Sequence, residues 1–327
     1  MKISIITPSY NQVNFLEYTI RSVLGQGYPD LEYWIMDGGS NDGSVEIIRK
    51  YESQLAGWVS QPDNGQAEAI NKGLRQATGE VVAWLNSDDM YAPGVLPAVS
   101  RFFEANPQIG LVYGDAASFD QDGHPLNQLA SEDWGLAGLV AFKIICQPAV
   151  FIRRAALEAA GYLDETYHML LDHQLWLRIA QRTAIRHVPQ VWAFARHHAQ
   201  AKNVAQAPRF GEEAFRVLAW MQTQPRLADL VARDRRTVMA MAHRFNARYL
   251  LDGGFAWPAL RAYTRSFTAN PRIALQEWHR ILFAGLSLVG LGRLGQVYYR
   301  AKRNRLPGSL RKLGIENIHQ LYPENTA

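Results

Sequence analysis

At 327 residues, with 48% hydrophobic and 20% charged side chains, the chain can bury a sizeable core, which excludes a disordered or fibrous class. A net charge of +4 and a pI near 9.1 are only mildly basic, and no nucleic-acid module accompanies them, so nucleic acid is not an expected partner. Cys146 is the single cysteine, which rules out an intrachain disulfide and fits a reducing, cytoplasmic setting. The apolar N-terminal run is too short, and too soon broken by Pro8, for a signal peptide.

Ile3 to Thr7 reads as a first strand, stopped by Pro8-Ser9-Tyr10-Asn11. Leu16, Ile20, Val23 and Leu24 then fall on one face at helical spacing, and Gly25, Gly27 and Pro29 end that helix. Leu31 to Met36 is a second strand, running into Asp37-Gly38-Gly39-Ser40-Asn41-Asp42-Gly43-Ser44, where three glycines let backbone approach a ligand. A helix with Val45, Ile48 and Tyr51, a short strand at Trp58-Val59, the turn Pro62-Asp63-Asn64-Gly65 and a helix with Ala67, Ile70, Asn71 and Leu74 follow. Strands alternating with helices at this spacing predict βαβ units and a mostly parallel sheet flanked by helices.

Val81-Val82-Ala83-Trp84-Leu85 continues the pattern as a buried strand and ends in Asn86-Ser87-Asp88-Asp89. Ligands of open α/β sheets sit at the carboxyl ends of strands, where these polar groups emerge. Two adjacent carboxylates stay charged most easily when a cation bridges them, and hard oxygen donors suit Mg²⁺ or Mn²⁺. The bare motif reads equally well as a helix N-cap followed by an exposed acid.

Further on, Gly94 to Phe103 reads as a helix and Ile109 to Tyr113 as a strand. Asp120-Gln121-Asp122-Gly123 is a hairpin-like turn, Cys146 to Arg153 is strand-like, and Ala155 to Ala160 is a short helix closed by Gly161. In Leu170-Leu171-Asp172-His173-Gln174-Leu175-Trp176-Leu177-Arg178 a helix puts Leu171, Leu175 and Ile179 on the core side, with Asp172 at its start. A carboxylate there suits the helix dipole, and an N-cap role accounts for it without any chemistry. His168, His173 and His187 have no ligand-like spacing, and Trp134, Trp176 and Trp192 read as core or wall, with Trp176 packing the helix of Asp172.

Thr7-Pro8-Ser9-Tyr10-Asn11, Asp37 to Ser44, Asn71-Lys72-Gly73, Trp84 to Asp89 and Asp172 to Arg178 occur in that order. Together they resemble family 2 glycosyltransferases of the GT-A fold, of the kind that build bacterial surface polysaccharides, over residues 1–207. The resemblance implies an inverting, metal-dependent hexosyl transfer from a nucleotide-diphosphate sugar, UDP favoured, to a hydroxyl of a glycan or lipid-linked acceptor. It places Thr7, Pro8, Ser9, Tyr10, Asp37, Gly38, Asp63, Lys72, Asn86 and Ser87 around the nucleotide, with Asp37 accepting from the base. Asn86-Ser87-Asp88 occupies the family's Asp-x-Asp motif with asparagine, a neutral ligand, in first place, leaving the divalent metal to Asp88 with help from Asp89. Asp172 falls at the catalytic base, and Leu171 stands where a glutamate usually precedes it. Arg196 to Lys202 resembles a stretch seen after the catalytic helix, which points His198 at the metal or diphosphate and Lys202 at the phosphates; an ordinary basic surface loop also accounts for it.

Two other classes compete. A nucleotidyltransferase would carry a glycine-rich, basic phosphate loop after the first strand, and Thr7 to Asn11 is not one. A non-catalytic nucleotide-sugar module is favoured only by Asn86, against the retention of Asp88, Asp89 and Asp172. Residues 208–327 read as a helical appendage. Within it, Ile281 to Gly292 is uncharged but too short, at about 1.5 Å per residue, to cross a bilayer core of about 30 Å. Seven basic residues from Arg293 to Lys312, with no acid among them, follow it. This pattern, over residues 281–312, suits either peripheral docking on an anionic inner leaflet or a buried helix followed by a solvated basic face. Gly290-Leu291-Gly292-Arg293-Leu294-Gly295 spells a dinucleotide fingerprint, but no βαβ unit can follow in the remaining chain, so the match is accidental.

Overall fold

The structure is a computed structural model that describes residues 1–198, 206–291 and 315–323. Lys202 and the basic run from Arg293 to Lys312 lie outside the described residues, as does most of the fingerprint match. Two compact units divide the chain. Residues 1–135, 145–197 and 315–323 belong to the first, and 136–144, 198 and 206–291 to the second.

In the first unit the elements run β1 (Ile3–Ser9), α1 (Leu16–Leu24), β2 (Leu31–Asp37), α2 (Ser44–Lys50), β3 (Gly57–Ser60), α3 (Gln66–Gln76), β4 (Val81–Trp84), β5 (Met90–Tyr91), α4 (Val95–Ala105), β6 (Ile109–Asp120) and β7 (Pro125–Leu129). After α5 (Gly135–Val140), which leads into the second unit, come β8 (Val150–Arg153), α6 (Arg154–Ala160), α7 (Leu171–Ala180) and β9 (Ala184–His197). The strands form one sheet in the order β3-β2-β1-β4-β8-β6-β9-β5, with β7 paired to β6. β3, β2, β1 and β4 are mutually parallel, as the strand–helix alternation predicts. Beyond β4 the sheet is mixed, because β8 inserts antiparallel between β4 and β6 while β9 runs parallel to β6.

β1 and β4 are buried along their whole length, which is why they read as continuous apolar runs. α3 lies close over β1 because residue 73 is glycine: a Cβ there would sit 2.6 Å from Ile6 Cγ2. The chain moves outward from β1 to β2 and β3, then crosses back to β4 on the other side of β1. That reversal makes the carboxyl ends of β1, β2 and β4 a topological switch point. Register places Ser9 beside Asp37 and Asp37 beside Ser60 at this edge.

Sequence periodicity does not reveal two of the strands. β5 is only two residues long. β9 carries Arg186, His187, Pro189, Gln190 and Arg196 among its apolar residues, and its pairing with β6 shifts register around Asp115, so no simple alternation survives.

The second unit is helical: α8 (Ala207–Thr223), α9 (Pro225–Arg233), α10 (Arg235–Asp252), α11 (Ala256–Ala269), α12 (Pro271–Leu275) and α13 (Trp278–Leu288). Ala247, Leu251, Ala259, Ala262, Tyr263 and Ala284 form a core in which small residues let the helices approach closely. Phe210 stacks on Tyr249 at 4.0 Å. Among the described residues no helix is long and apolar enough to cross a membrane. Gly290 follows a helix rather than a strand, so the start of the fingerprint match lacks the context a dinucleotide site needs.

Candidate active site

The loops after β1 and β2 are stitched to each other. Asn11, in the left-handed region at φ 51°, donates its N–H to Ser40 Oγ at 2.8 Å and accepts from Asn41 N on its Oδ1 at 3.1 Å. Asp42 accepts from Val13 N at 2.9 Å and from Ser44 N at 3.0 Å. Burial by itself raises the Asp42 pKa, but these bonds and that from the Ser44 hydroxyl outweigh it and hold the carboxyl below its ordinary value. Asp42 is therefore a bracket for the glycine-rich turn.

Asp37, only 3% exposed, accepts from Gly39 N at 3.1 Å, Ser40 N at 2.8 Å, Ser40 Oγ at 2.5 Å and Ser60 Oγ at 2.7 Å. A carboxylate has about four lone-pair sites, so its own loop takes up most of its acceptor capacity. Gly38 donates to Ser9 O at 2.8 Å, and a Cβ on Gly38 would come within 2.8 Å of Asp63 Oδ2. Asp63 in turn accepts from Gly65 N at 2.8 Å. Thr7 is fully buried with its hydroxyl 2.9 Å from Tyr33 Oη, and Pro8 is buried beside it. Ser9 Oγ is buried with no hydrogen-bond partner among the described residues, while Tyr10 is 61% exposed at the edge. Lys72 pairs with Glu68 at 2.7 Å across one turn of α3.

Asn86 follows β4 and links three elements. Its Oδ1 accepts from Gln66 Nε2 at 2.6 Å, and its Nδ2 donates to Gln147 Oε1 at 3.2 Å and, more weakly, to Asp89 Oδ2 at 3.3 Å. Ser87 is buried and Asp88 half-buried. Asp89 turns inward at 6% exposure and accepts from the Arg196 amide at 3.0 Å, tying the motif to β9. Burial, followed by the Asp88 charge, pushes the Asp89 pKa well above the ordinary carboxylate range.

Asp172 is half-buried in the first turn of α7, where its Oδ1 accepts from His173 N at 2.6 Å. It is not the N-cap: Leu170 holds that position. Trp176, one turn later, stacks on Trp84 of β4 at 5.2 Å, so the helix of Asp172 is braced against the strand that ends in Asn86 to Asp89. Burial, then Asp89 and Asp172, raise the pKa of Cys146, so both carboxylates act on that one thiol. The loop before α7 is clamped from both sides. Asn71 donates to Leu163 O and accepts from Leu163 N, and Arg178 donates to the carbonyls of Ala160, Gly161 and Tyr162.

His173 is buried and His168 exposed, while His187 lies 2.8 Å from Asp115 in a buried pair. His198, the first residue past β9, is buried. Sequence reasoning missed Ser60, Gln66 and Gln147, whose only signal was a lone polar residue near a strand end. The turn between β6 and β7 brings Asp120, Asp122 and His124 within 4.8 Å of one another, but Asp120 Oδ1 already closes that turn by accepting from Asp122 N and His124 N.

The sequence profile of Glycosyl transferase family 2 matches residues 4–158, which span β1 to β8 and most of α6. This segment belongs to that family. An uncharacterised glycosyltransferase of Nostoc sp. is 33% identical over 176 residues, covering 50% of this chain and 54% of that one. The O-antigen biosynthesis protein RfbC of Myxococcus xanthus is 28% identical over 213 residues, covering 63% of this chain and 16% of that one. The chain thus spans about half or less of the length of these two relatives. Among solved structures, S. aureus TarS in complex with UDP-GlcNAc superposes with a TM-score of 0.60 at 18% identity, over 93% of each chain. The mannosyltransferase PcManGT of Pyrobaculum calidifontis, in complex with GDP-Man and Mn²⁺, gives a TM-score of 0.58 at 19% identity, over 93% of this chain and 87% of that one. At such identities the likeness is one of fold, and the family 2 segment has the GT-A fold.

Proposed function

We propose that this protein is an inverting glycosyltransferase that moves a sugar from a nucleoside-diphosphate donor, a UDP-sugar, to a hydroxyl of a glycan or lipid-linked acceptor. The observation that carries this reading is the convergence at the switch point: Ser9, Asp37 and Ser60 lie in register at one sheet edge, and the Trp84–Trp176 stack braces the helix of Asp172 against the strand leading to Asp88. A UDP-GlcNAc-bound neighbour and an O-antigen biosynthesis relative support the donor and product class.

The unpartnered Ser9 hydroxyl, the exposed Tyr10 ring and the bare Gly38 backbone suit a nucleotide, with Asp63 and Lys72 flanking it. Asp88 supplies a half-buried carboxylate, and Asn86 a neutral oxygen already accepting from Gln66, so the donor set is hard oxygen and fits Mg²⁺ or Mn²⁺. Asp88 holds the cation in this reading, with help from Asp89 beside it in the same turn. When bound, the cation neutralises charge on the departing diphosphate.

Asp172 takes the proton from the acceptor hydroxyl as its oxygen bonds to the anomeric carbon. The bond from that carbon to the diphosphate breaks, and its electron pair leaves with the phosphate oxygen. A single base, with no second carboxylate assigned as nucleophile, makes this one displacement and therefore an inversion. The test is Asp172→Asn, assayed with a panel of nucleotide sugars with and without Mn²⁺. Transfer should be lost while donor binding persists; unchanged turnover removes Asp172 from the mechanism.

The second unit supplies the membrane contact in this proposal. Trp278 (60% exposed), Leu282 (54%) and Val289 (68%) recur at helical spacing on and just past α13, and the basic residues from Arg293 to Lys312 follow in the sequence. Such a pattern fits docking on an anionic cytoplasmic leaflet, where a lipid-linked acceptor would reside. Sedimentation with phosphatidylserine vesicles at low salt tests this, and no binding there removes the membrane from the proposal.

A further inference from the structure

The last described segment, residues 315–323, folds back onto the first unit. Ile318 is fully buried and donates its N–H to Gly123 O at 3.0 Å, and Asn317 Nδ2 donates to Asp122 O at 2.8 Å. Tyr322 is 4% exposed and accepts from Gln26 Nε2 at 2.7 Å, its ring lying where a side chain on Gly25 would be. Between these anchors, His319 stacks on Tyr18 at 4.0 Å and meets Arg196 Nη1 at 2.9 Å. Arginine only donates, so His319 Nε2 accepts and the ring is neutral. Burial, then the Arg196 charge, brings the His319 pKa down to about 4, in keeping with that role.

Arg196 is a buried cation, 4% exposed, with its guanidinium 4.5 Å from the Phe15 ring centre and 4.4 Å from that of Phe119. Nε donates to Asp88 O at 2.9 Å, and Nη1 also donates to Gln121 O at 3.0 Å. Nη2 is buried without a hydrogen-bond partner among the described residues. A buried guanidinium with one donor unfilled depends heavily on its remaining acceptors, and His319 provides one of three.

We propose that residues 315–323 act as a strap that positions Asp88: His319 accepts from Arg196, and Arg196 in turn holds the Asp88 carbonyl at the sheet edge. His319 and Arg196 are positioning residues, and the consequence for donor binding rests on the function proposed above. The strap lies more than 200 positions after the motif it tunes.

The test uses the full chain and three variants. His319→Ala removes both stack and acceptor, His319→Phe keeps an aromatic ring without the acceptor, and His319→Gln restores an acceptor. Amide hydrogen exchange of peptides covering residues 85–91 should quicken about ten-fold in the Ala and Phe variants, the loss expected for one charge-assisted hydrogen bond, and return towards wild type in Gln. Affinity for UDP with Mn²⁺ should weaken by about the same factor in the same order. Exchange unchanged in the Ala and Phe variants, or quickened equally in all three, overturns the strap. A wild-type protein that binds no UDP sinks the donor reading, while the exchange measurement still decides the strap by itself.

Discussion

Replacing Asp37 tests whether its carboxylate organises the glycine-rich turn. In Asp37→Ala two backbone amides and two hydroxyls lose their acceptor at a site that is 3% exposed. Hydrogen bonds to a charged group contribute about 1.5–3 kcal/mol each, but the hydroxyls can rotate to other partners and the four share one centre, so the sum is not additive. The two stranded amides dominate, and a loss of about 3–5 kcal/mol is expected. Asp37→Asn behaves differently. Its Oδ1 can replace the oxygen that serves Gly39 N, Ser40 N and Ser60 Oγ, and its amide can donate to Ser40 Oγ, so about 1–2 kcal/mol is lost. Urea unfolding at pH 7 measures both, read as a fall in midpoint at constant slope. Equal losses in the two variants, or an alanine variant within about 1 kcal/mol of wild type, would refute the assignment.

Other consequences concern packing and pH. Trp176→Ala should cost about 3–5 kcal/mol by emptying the space beside Trp84, and Trp176→Phe less, in the same urea experiment. Gly73→Ala should lose about 1–3 kcal/mol because its methyl meets Ile6 Cγ2 at 2.6 Å, whereas Gly285→Ala, with open space around it, should not destabilise. Glu32 is 6% exposed, and burial alone would raise its pKa, but bonds from the Ser4 hydroxyl, Thr78 and Lys2 bring it down to about 2. A folded pKa below the unfolded value of 4.5 makes its contribution, about 2–3 kcal/mol, complete above pH 4.5 and lost as pH falls through 2. Glu32→Gln should flatten that part of the stability–pH curve measured from pH 6 to 2.

The apolar runs of β1 and β4, the helical spacing of α1 and α3 and the polar residues that stop each strand were legible in the sequence, because burial on both faces of a parallel sheet leaves a continuous local signature. The motifs at Thr7 to Asn11, Asp37 to Ser44 and Trp84 to Asp89 each mark the end of one strand, whereas Asn71-Lys72-Gly73 lies inside α3 and Asp172 to Arg178 runs along α7. What sequence order could not convey was direction. Asp88 and Asp89 are neighbours of identical chemistry, yet Asp88 is half-buried while Asp89 faces inward to the Arg196 amide, because only the folded sheet brings β9 beside that turn. Likewise the Trp84–Trp176 stack, the clamp of Asn71 and Arg178 on the loop before α7, and the return of His319 to Arg196 join residues far apart in the chain. Local pattern determined most elements of the first half of the chain, though not β5, β9 or the full length of β6; long-range packing decided which side chains hold the structure and which remain for a ligand.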